Sequence, residues 1–320
     1  MQGALAGLQH YPDPQYQALR EALGNYHQLP TEWVLPGNGA AELLTWVGRE
    51  ISTQVGDLTP AAYVLTPAFA DYGRALQSFG VQMQPWPILD SLAELAPLKT
   101  ELPLCRDLPV AACLVNNPHN PTGHLWTAQV LLPLLDAFSL VVVDEAFMDF
   151  LPPAQAQSLI PWLADYPNLV VLRSLTKFYT LPGLRIGYAL SHPDRLRRWQ
   201  QWRDPWPVNG LAAAAAIAAV SDHEFQHRSW QWLPSTRQTL FDGLASTPGL
   251  HPLPGAANFL LVRSEQAVPP LQAQLIKQHK VVIRDCLSFA ELGDRYLRVA
   301  VRTTAENERL LTALATLQAL

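Results

Sequence analysis

The sequence predicts an α/β fold, a mostly parallel sheet wrapped by helices, with a smaller α+β domain at the C-terminal end. Three observations carry that expectation. Apolar runs rich in valine and leucine recur without alternating in polarity, the pattern of strands covered on both faces. Amphipathic helical segments separate these runs, so strand and helix alternate along the chain. From about Arg237 the texture changes to short strands and helices in a different arrangement.

The elements follow in order. GNGAAELL, from Gly37 to Leu44, reads as a glycine-rich turn opening a helix that continues through AAELLTWVGREI. Strands are expected at 61–66 (AAYVLT), 81–86 (VQMQPW), 110–116 (VAACLVN), 139–145 (SLVVVDE), 169–174 (LVVLRS) and 186–190 (IGYAL). The hydroxyl of Thr127 is placed to cap the helix TAQVLLPLLDAF. LAAAAAIAAV, from Leu211 to Val220, is about half the ~20 residues of a membrane span. It reads as a buried helix whose small residues admit a close neighbour. Beyond Arg237 come a helix, the strand ANFLLV, the helix LQAQLIKQH, the strands VVIRD and YLRVAV, and the helix TAENERLLTALATLQA. The expected division is a large domain over 30–236 and a small one from 1–29 with 237–320.

The 320 residues are 49% hydrophobic and 15% charged, enough to bury a large core. The net charge is −5, and the main basic cluster, Arg195, Arg197 and Arg198, reads as a solvated helix face, which argues against nucleic acid as a partner. Cys105, Cys113 and Cys286 have neither an even count nor metal-ligand spacing, so neither a disulfide framework nor a metal site is expected. The N-terminal stretch MQGALAGLQHYPDP has no basic start and no apolar run of signal length. The expected setting is a reducing cytoplasm, with no membrane partner.

Chemistry concentrates in three segments. In SLTKFYTLPGLRIGYAL, residues 174–190, Lys177 sits among hydroxyl residues and eight positions before Arg185. That pattern suits a site for a phosphorylated aldehyde such as pyridoxal phosphate, the lysine closing a Schiff base and the others gripping the phosphate. A surface turn with a chance lysine is the plainer reading. Asp144 ends SLVVVDE, where a carboxylate could keep a pyridine nitrogen protonated. Opposite charges about 4 Å apart attract by roughly 4 kcal/mol at an effective dielectric of ~20. It could equally cap the following turn. In NNPHNPTGHL, residues 116–125, Asn120 is held extended by Pro121 and could donate to a ring phenolate oxygen, or simply form an Asn-Pro turn. His119 and His10 read as ordinary turn and surface residues. The amides of Gly39 and Ala40 open a helix and so could face an anion, a plain turn being the alternative.

Together, Asn120, Asp144, Ser174, Thr176, Lys177 and Arg185 resemble, in order and spacing, the class I/II aminotransferase branch of the fold type I pyridoxal phosphate enzymes. The resemblance runs from about Tyr11 to the C-terminus and is strongest to the histidinol-phosphate aminotransferases and the threonine-phosphate decarboxylases. YPDPQY, the GNG turn, IRDC with Ser288 and Phe289, and YLRVAVRTTAENERLL are more similar to the decarboxylases. The resemblance implies a fold type I large domain and a cofactor, pyridoxal 5'-phosphate, joined to Lys177, which also moves protons at the substrate carbon. It implies that Asp144 pairs with the ring nitrogen and Asn120 with the ring oxygen. Ser174, Thr176, Arg185 and the amides of Gly39 and Ala40 hold the phosphate, and Phe69 in PAFADY stacks on the ring. It implies that Tyr11 reaches the cofactor of a neighbouring subunit, hence a homodimer with shared active sites, and that Arg298 and Arg284 bind the anionic groups of a phosphorylated amino substrate.

The activity so implied is decarboxylation of L-threonine O-phosphate to an aminopropanol phosphate for cobalamin biosynthesis. Transamination of histidinol phosphate or a similar amine is the alternative. A non-catalytic regulator of the same fold would be expected to carry a basic DNA-binding module, and the sequence has no such basic segment. Two departures from the family pattern stand out. Phe147 in DEAF replaces a tyrosine that contacts the ring oxygen in many relatives, so Asn120 is expected to act without it. The chain also begins where relatives already have an N-terminal arm over the substrate, so the expectation is either a wrongly assigned or shortened start or a more open pocket with altered specificity.

Overall fold

The computed structural model describes residues 2–53, 59–88 and 110–318. A seven-stranded sheet is built from β1 (Val34–Gly37), β2 (Ala61–Thr66), β3 (Gln82–Pro87), β4 (Val110–Asn116), β5 (Leu140–Asp144), β6 (Leu169–Ser174) and β7 (Gly187–Ser191), in the order β1-β7-β6-β5-β4-β2-β3. The pairs from β3 to β6 are parallel, and β7 runs antiparallel to both β6 and β1. Every residue of β2, β5, β6 and β7 is buried, which is why those strands show no polar alternation.

Alternate side chains feed two cores. Val141, Val143, Leu169 and Val171 point to one face, Leu140, Val142, Val170 and Leu172 to the other. After a short α1 (Gln2–Ala6), the first face is covered by α2 (Gln17–His27), by α5 (Ala128–Ala137) and by α7 (Gly210–Val220). The second is covered by α3 (Ala40–Thr53), α4 (Ala70–Gln77) and α6 (Pro193–Trp202).

The small domain is an antiparallel sheet in the order β10-β11-β9-β8, formed by β8 (Leu250–Pro252), β9 (Phe259–Ser264), β10 (Arg284–Asp285) and β11 (Tyr296–Ala300). Packed on it are α8 (His223–Ala245), α9 (Val268–Gln274), which continues as a π-turn to His279, and α10 (Thr304–Gln318), around Leu240, Leu260, Val262, Leu297 and Leu314.

Several expectations are corrected. Residues 17–27 do not join the small domain, because Leu19 and Leu23, one helical turn apart, are buried in the large-sheet core against α7. The expected boundary at 237 falls inside α8, which runs unbroken past Pro234. β1 was not foreseen. Its VLPG carries a proline, tolerated because this strand forms the edge of the sheet. VVIRD contributes only its last two residues to a strand.

Arg195 is buried, not solvated. Its Nε donates to Glu50 Oε1 at 2.9 Å, Arg198 reaches the same oxygen at 3.1 Å, and Trp199 Nε1 donates to Oε2 at 2.6 Å. Thr127 precedes α5 without capping it through its side chain; the Ala128 amide donates instead to Gln157 Oε1 at 3.2 Å. His119 is buried with its Nδ1 2.8 Å from Thr122 Oγ1 and its ring edge-on to Trp126, and burial pushes its pKa down to about 3. Cys113 and Cys286 are free and buried, while Cys105 lies outside the described residues. Among the described residues no helix is long and apolar enough to cross a membrane. No cluster of His, Cys, Asp and Glu among them could hold a metal ion.

Candidate active site

The carboxyl ends of parallel strands form the rim where ligands bind in open α/β sheets. Asn116, Asp144 and Ser174 are the last residues of β4, β5 and β6. By the alternation of the strands all three face the α3 and α4 side.

Asp144 is buried there, with Tyr72 Oη donating to its Oδ2 at 2.7 Å and the Ala146 amide donating to its Oδ1 at 3.0 Å. Burial raises the pKa of the carboxyl, opposed by those two hydrogen bonds and by the Lys177 cation. Burial and the adjacent carboxylate hold the Tyr72 phenol well above its ordinary pKa, so it stays a donor. Asn116 donates through Nδ2 to the Asp144 carbonyl at 2.7 Å and accepts the Asn120 amide at 2.6 Å, locking the turn that carries Asn120. Asn120 Oδ1 accepts from Arg298 Nη1, which turns its Nδ2 away from Arg298.

Lys177 is exposed at the mouth of the site, and its pKa is lowered by partial desolvation and by Arg298 and Arg185, against the opposing pull of Asp144. Its amine therefore gives up a proton more readily than a fully solvated lysine. Ser174 Oγ and Thr176 Oγ1 lie 2.7 Å apart, both on buried residues. Arg185 adopts a left-handed backbone (φ 57°) and donates from Nη1 to the Pro182 carbonyl at 3.0 Å.

The glycines are required by this geometry. A Cβ on Gly39 (φ +76°) would come within 2.6 Å of Arg185 Nη2, and one on Gly187 within 2.8 Å of the Ala40 nitrogen. The Gly39 amide is committed to the Gly37 carbonyl at 2.8 Å, so of the two expected donors it is Ala40, the first residue of α3, whose amide has no acceptor within its own helix. The result is a cradle with a guanidinium, two hydroxyls and a helix start, the donor set that suits a phosphate.

A cavity of about 110 Å³ brings together Ala40, Phe69, Asn120, Asp144, Ser174, Thr176, Lys177 and Arg185. Phe69 caps α4, edge-on to Tyr72 with centroids 5.7 Å apart, and is 43% exposed, leaving a ring free to cover a planar ligand. Phe147 is buried against Phe259 at 5.1 Å and forms an aromatic wall 5.9 Å from the Lys177 amine.

A second cavity, of about 630 Å³, shares Phe147 and Lys177 with the first and contains Arg284 and Arg298. These arginines are paired in register on β10 and β11. The Arg298 guanidinium lies 4.7 Å over the Phe259 ring, and Arg284 donates to Ser288 Oγ at 3.1 Å. Of the expected site residues, Gly39 and Tyr11 line neither cavity; Gly39 sits against the Arg185 guanidinium, whereas Tyr11 lies away from the site. It is 79% exposed and stacked on Trp206 at 4.5 Å.

Two residues escaped the sequence reading, Tyr72 and Asn116. Their signals were present in the spacing of Tyr72 three residues after Phe69 and in the strand-end position Asn116 shares with Asp144. On the far face of the same strand ends, Arg173 Nη2 pairs with Glu145 Oε2 at 2.8 Å and its Nη1 with Asp149 Oδ1 at 2.5 Å, all buried.

Residues 2–314 match the family "Aminotransferase class I and II". The chain is 40% identical to the threonine-phosphate decarboxylase of Salmonella typhimurium, covering 96% of this chain and 83% of that protein. It is 31% identical to histidinol-phosphate aminotransferase 1 of Nitrosococcus oceani, over 98% and 82% of the two chains. The structure superposes on the Sinorhizobium meliloti histidinol-phosphate aminotransferase in complex with pyridoxal-5'-phosphate with a TM-score of 0.86 at 26% identity, covering 99% and 85% of the chains. With its sheet order, its cradle and its lysine in place, the chain belongs to the class I and II aminotransferase family.

Proposed function

We propose that this protein is a pyridoxal 5'-phosphate-dependent decarboxylase that converts L-threonine O-phosphate to an aminopropanol phosphate, working as a homodimer with shared active sites. One observation carries the reading: the Lys177 amine lies between a buried carboxylate, Asp144, and a cavity holding two arginines, Arg284 and Arg298. The choice of substrate is supported by the greater identity to the Salmonella decarboxylase than to the Nitrosococcus aminotransferase.

When bound, the cofactor supplies an electron-accepting ring that stabilises negative charge at the substrate's α-carbon. Ser174, Thr176, Arg185 and the Ala40 amide hold its phosphate, and Phe69 covers its ring. Asp144 keeps a proton on the pyridine nitrogen, with Tyr72 fixing the carboxylate's direction. Asn120 donates to the ring oxygen. Arg298 takes the substrate carboxylate and Arg284 its phosphate. As the bond to the carboxylate carbon breaks, carbon dioxide leaves and its bonding pair stays on the α-carbon. Lys177 would deliver the proton that replaces it at the α-carbon. Tyr11, exposed beside Trp206, is presented to the second subunit.

Purified protein given L-threonine O-phosphate is expected to release carbon dioxide and one equivalent of aminopropanol phosphate with no 2-oxo acid present. Turnover of histidinol phosphate with a stoichiometric demand for 2-oxoglutarate, and none of the former reaction, would replace this reading by the aminotransferase. Tyr72→Phe is expected to lower kcat by roughly tenfold, the low end of what a hydrogen bond to a charged group contributes, about 1.5 kcal/mol. A pH titration of the bound cofactor's absorbance reports the same loss. Unchanged kcat and titration would remove Tyr72 from the site.

A further inference from the structure

We propose that the groove between residues 280–284 and α10 is an outer binding site for phosphate-ester dianions, formed by Lys280, Arg302 and Arg309, through which substrate reaches the inner arginines. The cavity of about 630 Å³ has Lys177, Phe147 and Arg298 on one side and α10 on the other. Among the described residues six cationic side chains line it, Lys177, Lys280, Arg284, Arg298, Arg302 and Arg309, against one carboxylate, Glu306. The chain as a whole carries −5. Positive charge is thus gathered in one groove of an acidic protein, against its own mutual repulsion.

The Glu306 carboxylate is already engaged, by Arg302 Nη2 at 2.7 Å and by the Thr303 hydroxyl at 2.7 Å. The other two outer cations meet neutral carbonyls. Lys280 Nζ donates to the Lys277 carbonyl at 3.1 Å, and Arg309 Nη2 donates to the carbonyls of His279 at 2.7 Å and Lys280 at 3.4 Å. Carbonyl partners hold these groups in place without cancelling their charge. Arg309 also ties α10 to the turn that presents Lys280, whose backbone is left-handed (φ 56°).

The reaction proposed above needs one cation for a carboxylate and one for a phosphate, and Arg298 and Arg284 meet that need. Lys280, Arg302 and Arg309 lie outside the cofactor cavity, so their charge acts before chemistry, on capture. A cleft lined by one sign of charge raises ligand on-rates by roughly 10- to 1,000-fold, and salt screens the effect over a Debye length of about 8 Å at physiological ionic strength. The inference rests on the proposed function only for the phosphate carried by the substrate, which decarboxylase and aminotransferase readings share.

The test uses the holoenzyme and two variants of an exposed side chain, Lys280→Gln and Lys280→Glu. Wild-type kcat/KM should fall about tenfold from low to physiological salt. Lys280→Glu should lower it about tenfold at low salt through KM and flatten the salt dependence, with Lys280→Gln between them. Calorimetric affinity of the holoenzyme for inorganic phosphate should weaken in the same order, a readout independent of turnover. Salt-insensitive wild-type kinetics, or variants equal to wild type in both KM and phosphate affinity, would overturn the site. If L-threonine O-phosphate is not turned over while phosphate affinity still follows the Lys280 series, the substrate assignment fails and the outer site stands.

Discussion

Replacing Lys177 by alanine is expected to lower kcat by roughly 10⁴-fold, the upper end of what a positioned proton-transfer group contributes. Two proposed duties would end at once, covalent capture of the cofactor aldehyde and proton delivery to the substrate carbon. The environment favours both, because partial desolvation and the Arg298 and Arg185 cations lower the amine's pKa and leave more of it neutral near pH 7. The phosphate cradle is untouched by the substitution, so the variant should still hold the cofactor, now without a covalent bond. Borohydride treatment followed by peptide mass analysis checks this directly. Wild-type protein should carry the cofactor mass on the peptide containing Lys177, and the variant should carry none. A variant that keeps more than a small fraction of wild-type turnover would remove Lys177 from the chemistry.

Asp144→Asn is expected to cost about 10³-fold in kcat, corresponding to the roughly 4 kcal/mol that a carboxylate at about 4 Å gives a pyridinium at an effective dielectric of ~20. The asparagine oxygen can keep the Ala146 amide while its Nδ2 donates to the Tyr72 oxygen, so shape is retained and the loss isolates charge. Stability separates the two further. Burial raises the Asp144 pKa in the folded, cofactor-free protein above that of the unfolded chain. The folded state then binds more protons than the unfolded one above the ordinary carboxyl range, and this group's contribution to stability falls as pH rises through that window. The neutral amide escapes that penalty. Cofactor-free Asp144→Asn should therefore melt no lower than wild type at pH 7 while losing its activity. A lower melting temperature together with near-normal kcat would reverse the assignment, making Asp144 a structural cap.

What could be read in the chain, and what could not, divides along a physical line. Lys177, Asp144 and Ser174 were legible because strand periodicity puts residues at a sheet rim and short-range spacing sets their neighbours. Gly39 was legible because a positive φ leaves a local signature. Tyr72 was not, since its meaning depends on a hydrogen bond to a residue 72 positions away. Arg195 was misread for the same reason, its neutralising carboxylate, Glu50, lying 145 positions away. His119 sits in a turn of polar residues, yet it is buried with its ring edge-on to Trp126. The docking of residues 17–27 onto the large sheet likewise follows from contact with α7, which no local pattern encodes.

The ion triad of Arg173, Glu145 and Asp149 has a bearing on the strands that carry it. Glu145 directly follows Asp144, and Arg173 directly precedes Ser174, so each strand ends with one polar side chain toward the cofactor cavity and its neighbour toward the triad. Sliding either strand by one residue would exchange the two faces, thrusting Arg173 or Glu145 among the catalytic groups and stranding its counterions in apolar surroundings. The triad thus acts as a key that admits a single alignment of β5 with β6, and the precision demanded of the front of the sheet is enforced from behind it.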